Sequence, residues 1–237
     1  MAKGLFVTGT DTGVGKTVIT GGLAGVFRKN GIAAAAFKPV QAGGIESEQG
    51  LLSEDALFYR AAAGLPYSVR DMNPCCLRMP LSPNIAARVS GQVIDPAALA
   101  EAYQRLAGEN DYVLVEGAGG LCVPLVDYSF TMADLAHLLG IPLLVVARPG
   151  LGTINHTVLT VRHAQWMGLE VKGIVINGYR KEQATLAERT NPEVIEGMTG
   201  VPILGIVPYL PETNVELCRA GGLVEIIEEK VEWRSLM

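Results

Sequence analysis

The sequence predicts an α/β fold, a mostly parallel sheet with helices on both faces, and three observations predict it. Short apolar runs alternate with stretches of helical periodicity along the chain, the pattern of strand–helix–strand units. Several of the runs, Tyr112 to Val115 and Ile141 to Ala147 among them, are apolar without alternation, as strands covered on both faces are. Glycine (28 residues) and small aliphatics are abundant while aromatics make up 6%, a composition that lets helices lie close on a sheet. With 237 residues and 49% hydrophobic content, a single domain spanning 1–237 is expected.

The first element is a strand around Leu5-Phe6-Val7, and Gly9-Thr10-Asp11-Thr12-Gly13-Val14-Gly15-Lys16-Thr17 follows it. A polyphosphate needs many donors at close range. Glycines let backbone N–H groups converge on it, and the next helix adds its N-terminal dipole. Gly13 and Gly15 suit that role, Lys16 supplies a point charge for the bridging and terminal phosphates, and Thr17 offers a hydroxyl to Mg²⁺. The strict pattern G-x-x-x-x-G-K-[ST] asks for glycine where Thr10 stands, and Gly9 lies one residue early. Strand, glycines, Gly-Lys-Thr and helix nevertheless occur in the right order, so the sheet is expected to be P-loop NTPase-like.

Val18 to Lys29 carries apolar residues at helical spacing and ends at Asn30-Gly31, a C-cap signal. Ile32 to Phe37 reads as a buried strand that delivers Lys38-Pro39 at its C-terminal end, where parallel sheets bind ligands. Ser53-Glu54-Asp55 opens a helix reaching about Ala63, with Asp55 in its first turn and Gly64 and Pro66 as its stop. Tyr67 to Pro83 holds scattered prolines and reads as irregular, a substrate-side excursion, before helices from Asn84 to about Ser90 and from Pro96 to Leu106.

Tyr112 to Val115 is a strand whose tip is Glu116-Gly117-Ala118-Gly119-Gly120. An acid at the end of a buried strand is what a Mg²⁺-directed carboxylate needs, since only the tip can meet a metal. Met132 to Leu139 is a helix, Ile141 to Ala147 a Val-rich strand, and Pro149 to Gly152 turns the chain into a helix from about Ile154 to Met167. Val171 to Ile176 is a strand ending at Asn177-Gly178, Asn191 to Met198 a helix, Val201 to Val207 a last strand ending at Pro208, and Leu223 to Val231 an acidic helix. Lys16, Lys38, Glu116 and Asn177 then all fall at C-terminal strand ends. No repeat or flexible linker interrupts this order.

The net charge of −5 gives no general attraction to nucleic acid or anionic lipid. The opening residues lack a signal-peptide pattern and no stretch reaches the ~18 apolar residues of a membrane span, so a cytoplasmic protein is expected. Cys75, Cys76, Cys122 and Cys218 show no C-x-x-C spacing and no nearby histidines, which argues against zinc and for free thiols. Adjacent Cys75 and Cys76 could form a redox pair, but the usual motif is missing. His156 at a helix start is read as packed or hydrogen-bonded, and Asp127 and Asp134 as solvated acids.

Five stretches together, the glycine loop at 9–17, Lys38-Pro39-Val40-Gln41, Glu54-Asp55-Ala56-Leu57, Val115 to Gly120, and Gly152-Thr153-Ile154-Asn155-His156, closely resemble the dethiobiotin synthetase family over nearly the whole chain. The resemblance implies an ATP- and Mg²⁺-dependent cyclo-ligase. 7,8-Diaminononanoate, CO₂ and ATP become dethiobiotin, ADP and phosphate through a carbamate and a carbamic-phosphoric anhydride. It implies a catalytic set of Lys38, Lys16 and Thr12, and a metal site of Thr17, Asp55 and Glu116. It implies nucleotide contacts from Gly13, Val14, Gly15, Lys16, Thr17, Val18, Asp55, Glu116, Gly117, Ala118 and Gly119, with Asn177, Pro208, Tyr209 and Leu210 on the base side. Glu212 or Glu216 would reach the ribose, the spacing leaving the choice open. Substrate contacts implied are Gln41, Ala42, Leu151, Gly152, Thr153 and Asn155, the last four offered by the neighbouring subunit of a homodimer. Where the family commonly has Ser or Thr two residues after Val40, this chain has Ala42 and lacks a hydroxyl.

Two other functions compete with this one. A ParA/MinD-like switch ATPase, acting at partition or division sites, usually carries a second lysine where this loop has Asp11. It also needs a basic or amphipathic patch, whereas this tail holds Glu225, Glu228, Glu229 and Glu232. An amidating synthetase of the cobyrinate type would need a glutaminase domain, for which 237 residues leave no room, while a free-standing relative using ammonia stays open on length alone.

Overall fold

The computed structural model describes residues 3–48 and 50–237. β1 (Lys3–Gly9) leads through the glycine loop into α1 (Lys16–Lys29), and β2 (Ala34–Phe37) returns the chain to the sheet. β2 starts two residues later than the apolar run suggests, because Ala33 is spent on pairing with Asp111: its N–H donates to the carboxylate at 3.0 Å and its carbonyl accepts the Asp111 N–H at 2.8 Å. Next come β3 (Val40–Ala42), β4 (Ile45–Ser47), β5 (Gly50–Leu52), α2 (Glu54–Ala63), α3 (Val69–Met72) and β6 (Cys75–Leu77). The expected irregular stretch from Tyr67 to Pro83 is therefore partly ordered. Ser68 and Asp71 form a reciprocal capping box that starts α3, and β6 pairs in parallel with β3 to make a second, two-stranded sheet.

α4 (Pro83–Ser90), α5 (Pro96–Glu109), β7 (Tyr112–Glu116), α6 (Met132–Leu139), β8 (Leu143–Ala147) and α7 (Thr153–Trp166) follow, and then β9 (Val171–Tyr179), α8 (Leu186–Thr199), β10 (Ile203–Pro208) and α9 (Leu223–Lys230). α8 begins five residues before the expected Asn191, since Thr185 and Glu188 form a capping box upstream and Pro192 lies inside the helix rather than at its start. β9 runs on to Tyr179, so Asn177 lies within the strand and not just beyond it.

The main sheet has the order β10-β9-β8-β1-β7-β2 and is parallel throughout. Period-two alternation sends Leu5 and Val7 into a core shared with α1, α2 and α9, and Phe6 into another shared with α4, α5 and α6. Val145, Ile174 and Ile195 close a third cluster under α7 and α8. The chain passes from β1 to β2 on one side and, after β7, crosses to β8 on the other. That reversal puts the open crevice at the C-terminal end of β1. Among the described residues no helix is long and apolar enough to cross a membrane.

Candidate functional site

The glycine loop wraps the C-terminal end of β1. Gly13 and Gly15 adopt positive φ values of 76° and 91°, which the turn requires. At Gly9, the glycine that stands one residue early, a Cβ would lie 2.9 Å from Lys16 Nζ and 2.8 Å from the Asp11 carbonyl oxygen. That position must be bare, whereas Thr10 only continues the strand by donating its N–H to Val146 O at 3.0 Å. Lys16 is buried and its ammonium donates to the Asp11 carbonyl at 3.1 Å, so the loop curls around its own lysine.

β1 and β7 pair with Val7 opposite Glu116, which sets that carboxylate beside the loop. β2, on the far side of β7, delivers Lys38, whose backbone is fixed twice: its N–H donates to Met72 O at 2.8 Å and its carbonyl accepts from Asn73 Nδ2 at 2.6 Å. Ser53 caps α2 by accepting the Ala56 N–H at 3.1 Å, and this puts Asp55 in the first turn, facing the same point.

Three segments distant in sequence thus converge on one ammonium. Lys38 Nζ lies 2.7 Å from Asp55 Oδ2 and 2.6 Å from Glu116 Oε1, and the Thr17 hydroxyl reaches Asp55 Oδ1 at 3.0 Å and Glu116 Oε1 at 3.1 Å. Glu116 is 1% exposed and Lys38 5%. Burial would lower the Lys38 ammonium, but the two carboxylates outweigh it and hold its pKa above the ordinary lysine value. Burial pushes Lys16 below that value, with Glu116 opposing and Lys38 adding to the fall. Burial likewise raises Glu116, and Lys38 draws it back.

A cavity of about 700 Å³ opens above these groups. It is lined by the loop residues Thr12, Gly13 and Gly15 to Val18, with Val14 turned into the core, by Lys38, Gln41, Ala42 and Asp55, and by Glu116, Ala118 and Gly119. Pro80 to Pro83 form its far wall, and Glu54 and Glu216 its acidic rim. Burial, then Glu216 and Asp55, raise the Glu54 carboxyl. Gln41 is already engaged, its amide N–H₂ donating to Ala42 O at 3.1 Å and its carbonyl accepting from Ser53 Oγ at 3.0 Å. Of the two glutamates weighed for the ribose, Glu216 lines the cavity, while Glu212 lies against Gly221.

Some expected site residues stand apart from this cavity. Asn177 touches the loop, its amide donating to Val14 O at 3.0 Å across Gly15. Pro208 ends β10 and Tyr209 and Leu210 follow it, where the Arg180 guanidinium sits 3.4 Å over the Tyr209 ring and the Tyr209 N–H donates to Tyr179 O. Leu151, Gly152, Thr153 and Asn155 form the N-terminus of α7 and do not line the cavity of their own chain. His156 Nδ1 is 3.5 Å from Arg148 Nη2, beside that helix end. The sequence reading missed Glu54 as a rim acid and the Pro80 to Pro83 wall. It also missed Tyr59, whose buried hydroxyl donates to Glu116 Oε2 and which only its i+4 spacing from Asp55 could have flagged.

Among the described residues no three His, Cys, Asp or Glu side chains form a ready-made cation cage. What converges is two carboxylates and a hydroxyl, hard oxygen donors from three segments. Such a set fits a small cation that keeps waters and phosphate oxygens for its remaining positions.

A family model described as an AAA domain matches residues 3–216. The chain is 43% identical over 210 residues to the ATP-dependent dethiobiotin synthetase BioD of Anoxybacillus flavithermus, with 88% of this chain and 92% of that protein covered. It is 40% identical over 238 residues to the protein of the same name from Bacillus cereus (98% and 96% covered), and 38% identical over 214 residues to that of Bacillus subtilis (90% of each). Among solved structures, the septum site-determining protein MinD of Pyrococcus horikoshii, complexed with Mg-ADP, superposes with a TM-score of 0.63 at 17% identity (97% and 94% covered). Cobyrinic acid a,c-diamide synthase of Mycobacterium smegmatis, with bound ADP and magnesium, gives 0.55 at 14% (93% and 91% covered). At such identities these two share the fold.

Proposed function

The chain belongs to the ATP-dependent dethiobiotin synthetases, ligases of biotin biosynthesis on the P-loop fold, and from that premise we propose how its residues divide the work. The observation that carries the reading is the Lys38 ammonium clasped by Asp55 and Glu116 at the edge of a phosphate loop.

7,8-Diaminononanoate and CO₂ enter the cavity as co-substrates of ATP. One amine adds to CO₂, losing a proton and leaving a carbamate anion. Lys38, charged at neutral pH, is the cation that stabilises it. A carbamate oxygen then attacks the γ-phosphorus and ADP departs. Lys16 and the N–H groups of Gly13 to Val18 neutralise the charge that builds on the phosphoryl oxygens, and Thr12 completes the catalytic set from the loop's open side. The second amine attacks the carbonyl of the carbamic-phosphoric anhydride and phosphate leaves with the bond pair, closing the cyclic urea. Because both amines belong to one chain, this step needs orientation more than acid–base help. Thr17, Asp55 and Glu116 are the residues that would hold Mg²⁺, which when bound screens the phosphate charge. Gly117 to Gly119 border the phosphates, while Asn177 and Pro208 to Leu210 face the base.

Gln41 and Ala42 border the substrate. Its distal carboxylate is met by N–H groups at Leu151, Gly152, Thr153 and Asn155 of a second subunit, so the active form is a homodimer with shared sites. On this reading the chain is a single synthetase domain, 1–237, working in the cytoplasm without nucleic acid or membrane.

The test follows phosphate and dethiobiotin in a mixture of purified protein, Mg-ATP, bicarbonate and 7,8-diaminononanoate. Phosphate release that depends on the diamine, matches cyclic urea mole for mole and disappears in Lys38→Ala is the expected result. Hydrolysis that ignores the diamine and yields no product would overturn the reading.

A further inference from the structure

We propose that Tyr59 is a positioning residue for Glu116, tying down the carboxylate oxygen that faces the core so that a single, oriented oxygen is presented to the cavity. The proposal deepens the reading of Glu116 as a metal-directed carboxylate and rests on it.

α2 brings two groups to this carboxylate. Asp55 and Tyr59 are four residues apart and share a helix face, so the same capped helix that aims Asp55 at Lys38 places the phenol against Glu116. The division of labour on Glu116 is clean. Oε1 accepts from Lys38 Nζ at 2.6 Å and from the Thr17 hydroxyl at 3.1 Å, both at the cavity side, whereas Oε2 accepts from the Tyr59 hydroxyl. Tyr59 is fully buried and its ring belongs to the apolar core beneath α1 and α2.

A carboxylate 1% exposed needs donors on both oxygens. Its terminal torsion is soft, so Glu116's own rotamer preference does not decide the plane of the carboxylate. Tyr59 decides it. A rotation that brought Oε2 toward the cavity would forfeit the phenol bond and leave a polar oxygen and a hydroxyl unpaired in apolar surroundings. With Oε2 committed, Glu116 offers one oxygen at a fixed angle, the mode that a small octahedral cation prefers over two-oxygen chelation. Tyr59 does not line the cavity, so it acts through Glu116 and not on the nucleotide.

The experiment titrates Mn²⁺ into the protein saturated with ADP, following free Mn²⁺ by electron paramagnetic resonance. Tyr59→Phe keeps the ring and removes the donor. The Mn²⁺ Kd is expected to rise about tenfold, the scale of one charge-assisted hydrogen bond, while ADP affinity without metal stays within twofold. p-Aminophenylalanine installed at position 59, which restores an N–H donor on the same ring, is expected to return the Kd to within threefold of wild type. A Tyr59→Phe protein that binds Mn²⁺ as tightly as wild type overturns the proposal, whatever its melting temperature. Should Tyr59→Phe yield no soluble protein, the amino variant carries the test, and a tenfold loss of Mn²⁺ affinity there overturns it equally. Glu116→Gln separates the two readings: if it leaves the Mn²⁺ Kd unchanged the metal assignment itself falls, whereas if it weakens Mn²⁺ while Tyr59→Phe does not, Tyr59 alone is dismissed.

Discussion

At the scale of the residue, Lys38 is a buried cation whose surroundings were built for it. Removing it strands two carboxylates, so Lys38→Ala is expected to cost about 3 kcal/mol of unfolding free energy in urea, beyond a loss of about 10² to 10³ in turnover. The pH dependence follows from the sign of the shift. A lysine raised on folding stabilises the protein fully below the unfolded value and loses that contribution only as pH climbs through the folded one. The stability gap between wild type and Lys38→Ala should therefore stay level from neutral pH to about 10 and narrow only above it, which urea midpoints at several pH values would show. Cys75 and Cys76 behave oppositely to a redox pair: burial lifts both thiols to about 11. Near neutral pH they hold very little thiolate and are partly covered, so iodoacetamide should label exposed Cys122 first and reach them only as pH rises toward their raised values. Lys16, Lys38 and Glu116 were legible in the sequence because strand ends and glycine loops announce themselves. Glu54 and Tyr59 were not, because a helical glutamate or tyrosine has the same local signature whether it faces solvent, core or site.

At the scale of the element, α1 shows how close packing was written into small residues. A Cβ on Gly22 would stand 2.6 Å from Ile227 Cγ1 and 3.2 Å from Leu223 Cγ, so α9 can lie on α1 only because that position is bare. Gly108, in α5, has no atom within 4 Å of where a Cβ would sit. The same substitution should then have opposite signs. Gly108→Ala is expected to stabilise by about 0.5 to 1 kcal/mol through helix propensity, and Gly22→Ala to destabilise by about 1 to 2 kcal/mol through overpacking. Paired thermal melts would check both. Every strand of the main sheet and most helices were readable from apolar runs and caps. The pairs β3 with β6 and β4 with β5 were missed because three-residue strands carry too few positions to show a period. The first turn of α8 was not read because its apolar positions are few, its start being set by the Thr185 and Glu188 capping box instead.

At the scale of the whole molecule, the two halves of the proposed site lie on different parts of the surface, which makes the dimer testable by genetics of the protein itself. Leu151, just ahead of α7, and Leu159 and Trp166 on it are 83%, 60% and 79% exposed, apolar surface suited to a second copy. Lys38→Ala and Asn155→Glu homodimers should each be inactive, the second because a carboxylate at the helix end repels the substrate's. Mixed after unfolding and refolding together, they should recover about a quarter of wild-type activity, since half the dimers are hybrids and one of each hybrid's two sites is intact. A mixture that stays inactive would mean that each chain supplies its own α7 contacts. Fold and topology class were legible at this scale, while the shared site rested on resemblance, because an interface leaves no periodic mark in one chain. The central place of β1 has a further consequence, for the kinetics of folding. The strands that flank β1 span 112–116 and 143–147, each more than a hundred residues along the chain from it. Closing such long loops is slow, so the phosphate loop takes its binding shape only after these distant pairings form, and ATP can be held only late in folding.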